Sequence, residues 1–260
     1  MNAPLSVLGF GYVAPHAREA AVEGAGGVGA ELERVLPALD LALLERTLRR
    51  GLSEVTRLFM HVAKLALSDA AADPASRPER VHVIFASAFG EIATAEALLA
   101  EAYDENGSSP ARFRHSVHNT APGLLSISVK NHLPCTAVAA GWETVAMGLF
   151  EAAAQLATDA ERVLLVFAEE RVPAALSREH NHGSLAAALV LGRDESARKH
   201  ARATLSLPRR CSREAQGDQH PLAPVLALAR MFEQGASGTL AVSDGDTPWC
   251  VQLAMNEAAS

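Results

Sequence analysis

The chain has 260 residues, 49% hydrophobic but only 5% aromatic, and its 23 basic and 30 acidic side chains give a net charge of −7. That length suits one large domain or two small ones, and the few aromatics favour small-residue helices packed on a sheet over an aromatic-rich sandwich. Neither sign forms a long run, so there is no concentrated basic face to neutralise phosphates and nucleic acid is excluded as a partner.

In chain order, "LSVLGFGYV" predicts a buried first strand. A Gly- and Ala-rich loop over residues 20–30 follows, then a helix from about Glu31 to Leu44. "LRRGLSEVTR" reads as a solvated helix start. From it runs the helix "SEVTRLFMHVAKLALSDAA", with Ser53 as its cap and Val55, Leu58, Phe59, Val62, Leu65 and Ala66 at helical spacing. "DPASRPER" breaks that helix, and "RVHVIFASA" is a buried strand. "EIATAEALLAEAY" predicts a helix, "DENGSSPARF" a polar loop, and "APGLLSISVKN" a second helix in its early part.

The strand "CTAV" then turns at Gly141 into the helix "WETVAMGLFEAAAQLA", which runs to about Thr158. "RVLLVFAEE" is another buried strand, and "SLAAALVLGR" is expected to pair with "ATLSLPRR". Strands alternating with helices predict an α/β domain with a largely parallel sheet. After Arg210 come a polar loop, a helix "HPLAPVLALARMFEQG" ending at Gly235, and a hairpin turning at "SDGDTP". The reading is therefore a main unit over residues 1–210 and a helix-plus-hairpin tail over 211–260 that packs on it.

Cys135, Cys211 and Cys250 lie far apart with no CxxC spacing, which predicts neither a zinc site nor a disulfide framework and fits a reducing cytoplasm. "MNAPLSVLGFGYVAP" lacks the basic start of a signal peptide. No apolar run approaches the roughly 20 residues of a membrane helix. Neither a cofactor nor a metal is expected.

Most local motifs resolve to structure. "GAGGVG" at 24–29 has the letters of a dinucleotide turn, but "PHAREAAVE" separates it from the nearest strand, so a flexible loop is the reading. "FASAFGE" lacks the G-x-S-x-G elbow, which leaves Ser87 structural. "HNH" at 180–182 has no third ligand at metal spacing and reads as a polar loop. In "SVHNTAPG", His118 and Asn119 read as a turn in which Asn119 caps the next helix. Cys135 lies three positions before Val138, on the opposite face of its strand, and reads as a buried structural thiol.

The corner at 135–141 is the informative feature. A strand breaking sharply into a buried helix is where many enzymes mount a nucleophile, yet Val138, Ala139 and Ala140 carry no reactive group. The ordered segments resemble the N-terminal half of a β-ketoacyl synthase, a condensing enzyme of the thiolase fold, over about residues 5–207. "LSVLGFGYVAP" is similar to the family's opening strand and "FASAFGEIATAEALL" to its strand, turn and helix. "HNTAPGLLSI" is similar to "N-M-A-A-G-x-x-S-I", which puts Asn119, Gly123, Ser126 and Ile127 in register. "CTAVAAG" falls at "S-T-A-C-x-S-G", "RVLLVFAEE" at the strand ending in "G-A-E", and "AAALVLGRDESARKHARATL" at the strand, charged connector and strand beyond.

The resemblance implies a thiolase-like layered fold, here with a truncated C-terminal half, and it places Val138 at the nucleophile position. The family's histidine partners come from "G-T-x-T" and "N-x-F-G-F-G-G" type loops, and this sequence has neither. "VHNTAPG" and "HPLAPVLALAR" resemble a subgroup encoded with aryl polyene and related type II polyketide pathways, which in turn resembles chain-length factors. This implies a non-catalytic subunit that pairs with a catalytic ketosynthase, meets the acyl carrier protein indirectly, and shapes the acyl tunnel. The implied interface is the strand Leu133, Pro134, Cys135, Thr136, Ala137 and Val138, since an uncovered apolar edge calls for a partner. Asn119, Cys135, Thr136, Trp142 and Phe150 are the corner or tunnel candidates, although Trp142, Met147 and Phe150 also sit at the spacing of core residues. An acyl-binding homodimeric scaffold and an acyltransferase using Cys135 remain alternatives.

Overall fold

A nine-stranded sheet with helices on both faces organises the chain. The computed structural model describes residues 3–19, 32–103, 109–176, 183–212, 220–244 and 246–256. The strands are β1 (Leu5–Val13), β2 (His16–Glu19), β3 (Leu32–Val35), β4 (His82–Ala86), β5 (Cys135–Val138), β6 (Arg162–Glu169), β7 (Leu185–Gly192), β8 (Ala203–Leu205), β9 (Arg209–Arg210), β10 (Gly238–Ala241) and β11 (Trp249–Met255). The helices are α1 (Glu54–Asp69), α2 (Ile92–Ala102), α3 (Pro110–Phe113), α4 (Thr120–Val129), α5 (Thr144–Thr158), α6 (Glu195–His200) and α7 (Ala223–Gln234).

The sheet order is β10-β11-β8-β1-β7-β6-β4-β5, with β9 beside β11. β5, β4 and β6 are mutually parallel because helices carry the chain back between them. The other pairings are antiparallel, so the sheet is mixed rather than largely parallel. No crossover helix lies between β6 and β7 among the described residues, and β7 runs antiparallel to β6.

Local chemistry explains the main elements. The Thr56 N–H donates to Ser53 Oγ at 3.1 Å, the cap expected for α1. A Cβ on Gly9 or Gly11 would collide with α1 at Ala66 or Leu65, so the two glycines of "LGFGYV" let that helix lie flat on β1. α1 and α4 cover one face of the sheet, with a core of Leu58, Phe59, Phe85 and Leu164 among others; α5 and α7 cover the opposite face over Ile84, Leu149, Leu165 and Phe232. Burying both faces makes β6 and β7 apolar almost throughout.

Arg162, at 0% exposure, is one of two ionisable exceptions in β6; Glu169, at the strand's other end, is the second. The Arg162 Nε and Nη2 donate to the Asp73 carboxylate at 2.6 and 3.2 Å, and Nη1 donates to Asp194 at 3.0 Å. Asp194 also caps α6 through the Ala197 N–H.

Further expectations are corrected, and Pro110–Phe113 of the expected polar loop is the short helix α3. No helix spans residues 32–44: Leu32–Val35 is a strand pairing with β2, and residues 36–40 are coil. Pro37 accounts for this, since it removes an N–H and restricts the residue before it. "SLAAALVLGR" does not pair with "ATLSLPRR"; β7 pairs with β1 and β6, and β1 separates it from β8. Cys211 and Cys250 form a disulfide with Cα atoms 6.0 Å apart, because β9 pairs with β11 and sets Arg209 opposite Cys250. No sequence spacing encodes that meeting. Finally, Asn119 occupies the cap position of α4 but makes no side-chain cap bond, since its backbone (φ −81°, ψ 2°) has already left the extended region that capping requires. "GAGGVG" and "HNH" lie outside the described residues. Among the described residues no helix is long and apolar enough to cross a membrane.

Candidate functional site

The corner stands where the parallel strands β4, β5 and β6 end together. Ala137 pairs with Phe85 and Val138 with Ala86, and the Val138 carbonyl accepts from the Ser87 N–H at 3.0 Å. Gly141 then takes φ +54°, a left-handed conformation that suits glycine, and opens the 3-10 turn Gly141–Glu143 before α5. Thr144 locks the bend: its hydroxyl donates to the Gly141 carbonyl at 2.7 Å and accepts from the Ala140 N–H at 3.1 Å.

Alternation along β5 sorts the candidate residues. Thr136 and Val138 face α5. Thr136 Oγ1 accepts from Gln155 Nε2 at 3.2 Å, and Val138 packs against the α5-side core. Cys135 faces α4, with Sγ 3.1 Å from Ser126 Oγ and 3.7 Å from the Pro122 carbonyl. Burial pushes its thiol above the usual range, against the smaller pull of Ser126, so it is held protonated at neutral pH. Leu133 and Pro134 are exposed at the entry of β5.

β5 ends the sheet. Only β4 pairs with it among the described strands, and all four of its residues are half-buried. Exposed apolar side chains lie on nearby elements: Phe113 is 65% exposed at the end of α3 and Ile127 66% exposed on α4.

The remaining candidates scatter. Asn119 is exposed and His118 half-buried; the His118 ring lies against Gly90 with Nε2 buried and unpartnered. Trp142 sits half-buried in the turn after Gly141. Phe150 meets Trp249 of the tail edge-on, 5.1 Å between centroids. Ser87 is wholly buried and accepts from the Gly90 N–H at 2.7 Å, a turn-holding role.

Sequence reading missed two features at this end of the sheet. One is a set of buried carboxyls. Glu169 accepts from the Ala88 and Phe89 N–H groups, and burial pushes it up to about 8 against their pull. Glu170 ties two helix starts together, accepting from Val55 N–H at 3.2 Å and Ala93 N–H at 2.9 Å. Burial, opposed by those two bonds, lifts it to about 7. Glu91 lies beside them, accepting from the Thr56 hydroxyl at 2.7 Å and raised chiefly by burial. Two acids directly after an apolar run were the available signal.

The other is a cleft of 620 Å³ rising from Glu170 and rimmed by Arg50, Arg112, Arg114, His115 and Arg171. Its cations come from three separated segments, so no charge run announces it.

Comparison with known proteins follows this geometry. Residues 28–251 match the family described as β-ketoacyl synthase, N-terminal domain. No curated protein matches the sequence. Solved structures do. A chain of the ketosynthase ApeO in complex with its chain length factor ApeC, from Xenorhabdus doucetiae, has TM-score 0.69 at 21% identity over 96% of this chain and 99% of that one. The ishigamide ketosynthase/chain length factor has TM-score 0.58 at 19% identity over 90% and 74%. A complex of a type II polyketide acyl-carrier protein with its hexaketide-bound ketosynthase has TM-score 0.61 at 17% over 83% and 71%. At these identities the structural likenesses speak for the thiolase-like ketosynthase fold.

Proposed function

Because the chain belongs to the β-ketoacyl synthase family through its N-terminal domain, we propose that it is a ketosynthase-like subunit without a nucleophile of its own. It pairs in the cytoplasm with a catalytic ketosynthase of a type II polyketide or aryl polyene assembly line and shapes the acyl tunnel. The observation that carries this reading is Val138 at the head of the corner, where a side chain that cannot be acylated ends the outermost strand.

The free edge supplies the partner surface. Among the described strands none lies beyond β5 to take up its backbone N–H and C=O groups, and no charge blunts the run from His132 to Trp142. A second subunit adding its own edge strand would continue the sheet and cover the half-buried residues. The tunnel then lies at the seam, and bulk near Val138 and Trp142 would limit chain length without any chemistry. The main unit over 1–210 carries the seam, and the tail 211–260 backs α5. The arginine-rimmed cleft offers a phosphate-bearing carrier arm a favourable approach, so the acyl carrier protein joins this reading through the assembled pair.

The same edge is self-complementary, which is the basis of the second reading, an acyl-binding homodimer. The acyltransferase reading is weakened by Cys135, whose thiol is protonated and faces away from Val138. Co-expression of the tagged chain with a ketosynthase encoded beside it decides. A one-to-one heterodimer supports the subunit; a homodimer that ignores the ketosynthase supports the scaffold; stoichiometric acylation of Cys135 by an acylated carrier protein would overturn both.

A further inference from the structure

We propose that the Cys211–Cys250 disulfide is a reversible clamp that sets the corner through Arg210, making the conformation of residues 141–145 sensitive to thiol redox state.

The disulfide closes a covalent ring across 39 residues that contains α7 and β10. Beside it, β9 pairs with β11, so Arg210 lies opposite Trp249. Its guanidinium carbon stands 4.1 Å over the Trp249 ring, and Nη1 donates to the Thr247 carbonyl at 2.7 Å. Nη2 reaches Glu143 Oε1 at 3.3 Å. Glu143 is the last residue of the turn opened by Gly141. About two turns further along, Phe150 of α5 meets the same Trp249 ring in an edge-type contact. The tail thus grips α5 at two points, and both pass through Trp249, the neighbour of Cys250.

β9 is two residues long with both residues exposed, too short to hold its register unaided. The disulfide fixes it. The bond is also placed for exchange: Cys211 is half-buried while Cys250 is 5% exposed. A thiolate of a dithiol reductant attacks the Cys211 sulfur, and Cys250 departs as thiolate and takes a proton. The second thiol of the reductant then displaces Cys211, whose thiolate is protonated in turn. Two electrons and two protons pass to the protein, and the reductant becomes a disulfide. Glutathione disulfide drives the reverse. In a reducing cytoplasm a disulfide is usually transient or redox-sensing rather than a permanent staple.

The clamp goes beyond the subunit reading and does not require it; only its effect on partner binding rests on that reading. Hydrogen exchange of the protein oxidised with glutathione disulfide is compared with the protein reduced by dithiothreitol. Amides 141–145 should exchange at least tenfold faster after reduction, while β6 stays unchanged. Arg210→Gln in the oxidised protein should reproduce the acceleration at the corner and leave β11 protected. Cys211→Ser should match the reduced state. Equal exchange at 141–145 in both redox states, or three free thiols after glutathione disulfide treatment, overturns the clamp. If exchange responds, affinity for the ketosynthase should fall at least fivefold on reduction. Unchanged affinity would then overturn the link to the partner while the clamp stands.

Discussion

The centre and the rim of the sheet are built on opposite terms. Every residue of β6 and β7 is buried; of their two ionisable side chains, Arg162 is met by two carboxylates and Glu169 by two backbone N–H groups. Every residue of β5 is half-buried, small or β-branched, and has a neighbour on one side. Cohesion is concentrated where no partner can reach. The rim keeps surface uncovered that a second chain could use, and it carries Val138, the position proposed for the nucleophile's equivalent. The proposed absence of a nucleophile and the open edge are therefore separable properties, and the comparison can be attacked at either end.

The largest effect is expected at the centre. Arg162→Leu removes the cation and leaves Asp73 buried beside an apolar side chain, which should cost about 3–5 kcal/mol. Urea denaturation measures it, and a loss below about 1 kcal/mol would show the pair to be dispensable. At the rim, Ala137→Asp should cost about 2–5 kcal/mol of heterodimer affinity, because a partner would desolvate the carboxylate without a counter-ion. Ala154→Asp, on an exposed position of α5, should leave pairing intact. Co-purification at wild-type yield for Ala137→Asp would move the interface elsewhere.

Smaller effects come from the carboxyls between these regions. Glu169 and Glu170 are raised to about 8 and about 7, so the folded state holds protons that the unfolded state releases above about 4.5. Their stabilising contribution is complete below that pH and is lost as pH rises through 7 and 8. The slope is on the order of 1.4 kcal/mol per pH unit for each group within its window. Denaturation midpoints at pH 5.5 and 8.5 should differ in that direction, and Glu170→Gln should shrink the difference. The smallest effect is none. Val138→Cys in the protein alone should neither condense nor retain an acyl group, since a thiol needs a base or a positive field to ionise near neutrality. Turnover there would reveal a poised histidine, with His118 the first to replace.

What the sequence disclosed follows from the range of the physics involved. Short-range devices were legible: Ser53 capping α1, Gly235 stopping α7 in a left-handed conformation, and the apolar runs of β4 and β6. The family and its fold were legible through the resemblance carried by the ordered motifs. Pro37 was a local signal against a helix from Glu31 to Leu44. Properties fixed by pairing across the sheet were invisible. Cys250 meets Cys211 only because β9 lies on β11. The cleft arginines gather only once three segments converge on Glu170. Buried acids were hidden for the same reason, since their cost and their partners belong to distant helix starts.

The place of β1 has a consequence in time. β1, made before the other described strands, fits between β7 and β8, with Ser6 facing Gly192 on one side and Thr204 on the other. Until most of the chain has been made, β1 has neither neighbour, and α1 has no completed floor to lie on. β4, β5 and β6 can meet earlier through their crossover helices, so the parallel trio is the natural first assembly. β1 is then threaded in late, across contacts of very large sequence separation, which is a slow kind of closure. The nascent chain must keep an apolar strand unpaired for much of its synthesis, and shielding by a chaperone during that interval would decide how much of it reaches the folded state.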